Sequence, residues 1–263
     1  MGSMRADLYA AGTFCRRELV TPDPEEAGAF YAQLMGWEAR PGTSEEGAME
    51  VHNNGREVAA IRRPRPELGE PRDAASWLSY IAVPSVPRSM ERVALLGGEV
   101  IQFIEATADV GELAIIADPA GARVALCAAQ DRAPCKGPAT VPGGCYWTEL
   151  ATRDAQRAAV FYAQLLGWKA RVVVHNDEPS TLFLVEDTPV AGLLQLHGVP
   201  PIPPSNWMVS FAVASAEQTV ARAEGMGARL ASPLADIPGV GLAAGIIDPQ
   251  GGPFSIMEPV TEE

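Results

Sequence analysis

Between Asp23 and Gly36 the apolar residues Ala27, Phe30, Tyr31 and Leu34 recur at helical spacing, which predicts an amphipathic helix with one buried face. Asp23 supplies an N-cap, Pro24 suits the first helical position, Glu26 stands where a capping-box acid belongs, and Gly36 ends the element. Around this helix the apolar runs shorten to strand length. Phe14 to Val20 precedes it, and Met49 to His52 and Val58 to Ile61 follow, joined through Asn53-Asn54-Gly55 in a hairpin of the positive-φ kind. Leu78 to Val83 predicts another strand and Ser85 to Leu96 a second helix closed by Gly97-Gly98. Val100 to Ile104, Leu113 to Ala117 and Val124 to Cys127 complete the series. The order is strand, helix, strands, taken twice.

The same pattern then returns. Glu18 to Arg40 and Glu149 to Arg171 share 14 of 23 residues at a constant offset of 131. One residue less aligns Trp77 with Trp207, Gly97 with Gly227, and Asp118-Pro-Ala-Gly with Asp248-Pro-Gln-Gly. This is an internal duplication. The predicted division is a first domain over residues 10–130, a Pro- and Gly-bearing linker over 131–143, and a second domain over 144–260. About 120 residues each gives either half room for its own core. Met1-Gly2-Ser3-Met4 reads as an added leader ahead of a second start methionine.

Composition narrows the function. The 263 residues carry 33 acids against 20 bases, a net charge of −13, so the chain repels phosphate backbones and anionic membranes. Neither nucleic acid nor membrane is an expected partner, and no apolar run is long enough to span a bilayer. With no secretory pattern, and with Cys15, Cys127, Cys135 and Cys145 lacking any Cys-x-x-Cys spacing, the expectation is a cytoplasmic protein with reduced thiols. Only Lys136 and Lys169 are lysines, which argues against Schiff-base chemistry. Nucleophile-elbow, phosphate-loop and dinucleotide motifs are missing from the sequence.

A strand, Thr-x-Asp, a helix carrying Phe-Tyr, Leu-x-Gly-Trp and a late Asp-Pro-x-Gly together resemble the vicinal oxygen chelate superfamily. That group includes glyoxalase I, bleomycin-resistance proteins and extradiol dioxygenases. The resemblance spans both halves and is nearest to tandem-domain actinobacterial members. It implies an α+β fold of tandem glyoxalase-like domains, in which four βαβββ units form curved, open mixed sheets around clefts. The superfamily's enzymes hold a divalent metal there. Their ligand positions fall here on Arg16 and Trp147, at or near Tyr80 and Ser210, on Ala125 and Ser255, and among Val58 to Ile61 and Val190 to Leu193. A transition-metal site needs three or four donors converging at roughly 2 Å, and these residue types do not supply them. The expectation is no metal and no cofactor. His52, His175 and His197 do not align between halves and read as solvated or locally bonded side chains.

Alternation along a strand carries the argument to candidate chemistry. If Arg16 and Trp147 face a cleft, Glu18 and Glu149 face it too. Arg16 is placed to pair with Glu18, whereas Trp147 offers Glu149 no charge, so Glu149 is the better acid–base candidate. Alternatively, both glutamates satisfy buried amides. Tyr80 and Arg16 are candidates to stabilise negative charge. Tyr146, Trp147, Ser210, Ser255 and Phe211 would line the second cleft, and Arg16, Tyr80 and Phe14 a more polar first one. Trp37, Trp77, Trp168 and Trp207 read as core fillers.

Two functions remain open from the sequence. The first is metal-free binding of a small apolar or aromatic metabolite, as in natural-product sequestration or resistance. The second is a metal-independent isomerase, cyclase or lyase of secondary metabolism using Glu149. A metal-dependent glyoxalase or dioxygenase is a third. Monomer and homodimer both suit a chain holding four units.

Overall fold

The computed structural model describes residues 11–42, 47–66, 70, 72–107, 111–128, 140–175, 178–198 and 204–260. The leader and residues 131–139 of the linker lie outside them. The first half runs β1 (Phe14–Val20), α1 (Pro24–Met35), β2 (Glu38–Pro41), β3 (Met49–Asn53) and β4 (Arg56–Arg62). It continues with β5 (Ser76–Val83), α2 (Val86–Leu95), β6 (Glu99–Thr107), β7 (Gly111–Ala117) and β8 (Arg123–Ala128). The second half repeats this as β9 (Cys145–Thr152), α3 (Ala155–Leu166), β10 (Lys169–His175), β11 (Glu178–Val185) and β12 (Thr188–Gln195). β13 (Asn206–Ala212), α4 (Ala216–Gly225), β14 (Arg229–Ile237), β15 (Gly241–Ile247) and β16 (Pro253–Pro259) close it. Each half is one eight-stranded mixed sheet, ordered β2-β3-β4-β1-β5-β8-β7-β6 and β10-β11-β12-β9-β13-β16-β15-β14. The sheets have free edges and are not closed barrels.

Most local signals act as the sequence predicts, but Glu26 closes no capping box: the Asp23 amide donates to Gln250 Oε1 instead, and Gln250 Nε2 donates to Glu26 Oε2. The Asp23 carboxylate accepts hydrogen bonds from the Glu25 and Glu26 amides, Pro24 opens α1, and Gly36 closes it at φ 74°. Asn54 (φ 51°) and Gly55 (φ 76°) turn β3 into β4. β2 and most of β10 escape the pattern, because they are outer strands. β2 buries none of its four residues deeply, so it leaves no alternation to detect.

The two largest hydrophobic clusters each draw on both halves, so neither half builds its main core from its own residues alone. One cluster joins Tyr31, Trp37, Val51 and Trp77 of the first half to Val209, Phe211, Phe254 and Ile256 of the second. Its counterpart joins Phe14, Ile81, Val86 and Leu126 to Leu150, Phe161, Tyr162, Trp168 and Phe183. Polar bonds cross at the same places. The Tyr31 hydroxyl donates to Asp248 Oδ2 at 2.9 Å and accepts from Trp77 Nε1 at 3.2 Å. In the mirrored site Tyr162 donates to Asp118 Oδ2 at 3.3 Å and accepts from Trp207 Nε1 at 2.9 Å. The remaining Asp248 oxygen holds its own turn through the Gln250 and Gly252 amides, and Asp118 does the same with Ala120 and Ala122. The Phe-Tyr and Asp-Pro-x-Gly motifs are thus two sides of one cross-half bond. Trp37 and Trp168 also reach across, donating to the Gly143 and Gly12 carbonyls at 2.7 and 2.8 Å. All four core tryptophans are buried as the sequence predicts. Among the described residues no helix is long and apolar enough to cross a membrane.

Candidate functional site

The helices cover one face of each sheet, leaving the face that carries residues 16, 18, 78 and 80 in the first half and 147, 149, 208 and 210 in the second. Strand register puts Arg16 beside Tyr80 and Tyr80 beside Ala125. It puts Trp147 beside Ser210 and Ser210 beside Ser255. Glu18 lies opposite Ala60, and Glu149 opposite Gly192. The frame is the same in both halves, and the side chains set the difference.

In the first half this face fills itself. Leu78, Tyr80, Leu113, Ile115, Ala125 and Cys127 form a small buried cluster. Beside it the Tyr80 hydroxyl donates to Glu18 Oε2 at 2.6 Å, and Arg62 Nε donates to the same oxygen at 2.7 Å. The other end of the Arg62 guanidinium grips both oxygens of Glu70, at 2.7 and 2.8 Å. Arg16 stands 3.8 Å from Glu18 and 3.6 Å from Glu57. Burial opposes ionisation of Glu18, yet the Arg62 and Arg16 charges and the Tyr80 and Arg62 hydrogen bonds outweigh it and hold the carboxyl below its ordinary range. Glu18 is therefore a fixed anion, poorly suited to take up and release protons. Tyr80, Arg16 and Glu18 are all buried. The structure therefore does not bring these three candidates to an open surface. Phe14 leaves the first cleft altogether and packs against Trp168 and Trp207.

The second half has the same sheet with smaller residues. Ser210 replaces Tyr80, Ala243 replaces Leu113, Gly245 replaces Ile115, and Leu194 takes the register of Arg62. Trp147, Glu149, Met208, Ser210 and Ser255 are all half-buried instead of sealed. The face is left partly accessible to solvent. Glu149 has lost the counterparts of Arg62 and Tyr80, and among the described residues its carboxyl has no side-chain hydrogen bond or ion pair. Burial alone acts on it, pushing its pKa up. A Cβ added to Gly192 would meet Glu149 Oε1 at 2.6 Å and Trp147 Nε1 at 2.9 Å, so glycine is what lets both groups lie on the cleft floor. Four of the sequence candidates, Trp147, Glu149, Ser210 and Ser255, come together here. Tyr146 is the extra residue of the β9 bulge and is half-buried, while Phe211 turns to the other face and is fully buried against Trp37 and Trp77.

Arg62, Glu70 and Gly192 lie beyond the sequence reasoning. Strand register exposes the first and third, because Arg62 corresponds to Leu194 and Gly192 to Ala60 in the other copy.

The opposite signs of the two glutamates give a test. The raised Glu149 value means the fold prefers the protonated form. Its stabilising contribution is complete below the ordinary carboxylate value of about 4.3 and is lost as pH rises through the raised one. Glu149→Gln is expected to melt above wild type near neutral pH, with the gap closing as pH falls toward about 4. Thermal melts across that range check it.

The metal ligands typical of this fold find no match in either half. Arg16, Tyr80 and Ala125 stand where the superfamily resemblance puts ligands in one copy, and Trp147, Ser210 and Ser255 where it puts them in the other; register sets these residues side by side, with Ala60 and Gly192 across from the glutamates. Among the described residues no group of three His, Cys, Asp or Glu could hold an ion. The donor set does not fit a divalent metal.

Paired βαβββ units in open sheets, with a cleft face where ligand positions recur, define the vicinal oxygen chelate class. The 2,3-dioxygenase LapB from Pseudomonas sp. KL28 shares the fold, at a TM-score of 0.61 and 15% identity over 96% of this chain and 94% of that one. The chain belongs to the glyoxalase-like domain family, whose model matches residues 16–127 and again 147–257. Two relatives match nearly end to end. CFP32 of Mycobacterium tuberculosis is 32% identical over 97% of this chain and 98% of its own. The anthracycline biosynthesis protein DnrV of Streptomyces peucetius is 32% identical over 95% and 94%.

Proposed function

We propose that this chain binds a small, flat, largely apolar aromatic metabolite in the cleft of its second half, without a metal ion. Natural-product sequestration or carriage in the cytoplasm is the role that follows. The carrying observation is the exchange of Tyr80, Leu113 and Ile115 for Ser210, Ala243 and Gly245, which puts small side chains on a face that its twin fills with large ones. Trp147 and Met208 give the space an apolar wall. A relative named for anthracycline biosynthesis supports an aromatic guest, and the mismatch at the ligand positions supports metal-free binding.

Glu149 favours a second reading. A carboxyl in an apolar cleft, unpaired and with its pKa raised, is suited to shuttle a proton for a metal-independent isomerase, cyclase or lyase. One experiment addresses both readings. Tricyclic aromatics are titrated against wild type, Glu149→Gln, and the double variant Ser210→Tyr with Ala243→Leu, and each mixture is then chromatographed. The double variant, which copies the first half, is expected to weaken binding at least about a hundredfold. Undiminished binding by a folded double variant would sink the cleft assignment. Recovery of every ligand unchanged from wild type supports binding alone, whereas conversion lost in Glu149→Gln with binding retained supports catalysis.

A further inference from the structure

The cleft floor carries more polar groups than an apolar guest requires. Trp147, Ser210 and Ser255 are neighbours across three strands, and Glu149 follows Trp147 on the same face. Among the described residues none of these four side chains makes a hydrogen bond or ion pair. The Glu149 carboxyl and the Trp147 indole N–H both lie within 3 Å of one point above Gly192. Around them stand Met208, Leu194 and the bare backbone of Gly245. Half-buried polar groups with no partner cost free energy unless a bound molecule or water satisfies them.

We propose that this patch reads an oxygenated edge of the guest, a ring carbonyl and a ring hydroxyl placed too far apart to bond each other, on an otherwise apolar polycyclic body. The inference rests on the binding reading above and names its ligand class. An indole N–H can only donate, so it calls for an acceptor, which a carbonyl oxygen supplies. A carboxylate accepts, so it calls for a donor, which the hydroxyl supplies; the two serine hydroxyls serve either partner. A guest that was itself an anion would meet the Glu149 charge, and a plain hydrocarbon would leave all four groups dry. The first half has no such patch, because Tyr80 and Arg62 already occupy Glu18.

Three probes with one ring system separate the terms: anthracene, 9,10-anthraquinone and 2-hydroxyanthraquinone, whose hydroxyl is out of reach of its own carbonyl, titrated by quenching of tryptophan fluorescence. Wild type is expected to bind them in rising order, each added group tightening Kd about threefold to tenfold. Trp147→Phe, which keeps a ring and removes the N–H, is expected to bind anthracene and anthraquinone alike. Glu149→Met, close in shape and without an acceptor, is expected to bind anthraquinone and 2-hydroxyanthraquinone alike. Equal affinity of wild type for all three, lost in the Ser210→Tyr with Ala243→Leu variant, would overturn the edge-reading inference and leave the cleft reading standing. A hydroxyl preference that survives in Glu149→Met would also overturn it. Failure of all three probes to bind, or binding unaffected by closing the cleft, would overturn the binding reading and this inference with it.

Discussion

Residues 10–130 produced without the rest of the chain will give a collapsed polypeptide that melts without cooperativity, and residues 144–260 will behave the same way. The reason lies in the shared clusters. Separating the halves strips Tyr31, Trp37 and Trp77 of contact with Phe211 and Phe254, all five buried in the whole chain. Re-exposing large side chains costs about 1.5–3 kcal/mol each, so these five alone represent on the order of 10 kcal/mol. Total stability of a domain is typically about 5–15 kcal/mol. The mirrored cluster around Phe14, Tyr162 and Trp168 adds a second loss of the same kind. Asp118 and Asp248 would each lose the tyrosine that bonds them from the other half. Near-ultraviolet circular dichroism and amide dispersion report the outcome. Equimolar mixing of the two pieces is expected to restore both signals, because the missing face is supplied in trans. An isolated half with a sharp melt and dispersed amides would show that the interface is an accessory to two self-sufficient folds.

That result depends on something the sequence states only in part. The duplication, the βαβββ order and the helix caps are local or periodic, so Asp23, Gly36 and the Asn54-Gly55 turn are legible one residue at a time. The partnership of Tyr31 with Asp248 spans 217 residues. Nothing in the spacing of either motif distinguishes a partner in the same half from one in the other, and two equivalent copies make both choices look alike. The candidate site divides in the same way. Strand parity places Glu18 and Glu149 on the cleft face, but it gives no account of what fills that face. Arg62 and Glu70 are eight residues apart with little periodicity between them, and only the three-dimensional structure shows the Glu70 carboxylate on the Arg62 guanidinium. The asymmetry between clefts is a difference in side-chain volume at matched register. It becomes visible only once the halves are compared with strand pairing in hand.

Arg62→Leu, which installs the residue that the second half has at that register, is expected to cost about 3–5 kcal/mol near neutral pH. Arg62 is 2% exposed, Glu18 6% and Glu70 7%, so the variant leaves two carboxylates in a dry interior with their closest cation removed. Arg16 remains near Glu18, but at 3.8 Å and shared with Glu57. The pH dependence follows from the sign of the Glu18 shift. In wild type its pKa is lowered, so it contributes stability above the ordinary carboxylate value that is lost as pH falls through the lowered one. With Arg62 gone, burial is the larger influence, as it already is for Glu149, and the native-state pKa of Glu18 moves upward. The deficit should therefore be largest near neutral pH and shrink toward about pH 4, where the Glu18 carboxyl accepts a proton. Denaturant titrations at several pH values measure it. Adding Glu70→Gln to Arg62→Leu should return part of the loss, since one of the stranded charges is then absent. A deficit that does not change with pH would place the role of Arg62 in packing by its aliphatic stem instead of charge balance. The pair of clefts would then differ in shape alone, and the contrast between a fixed Glu18 anion and a protonatable Glu149 would lose its physical basis.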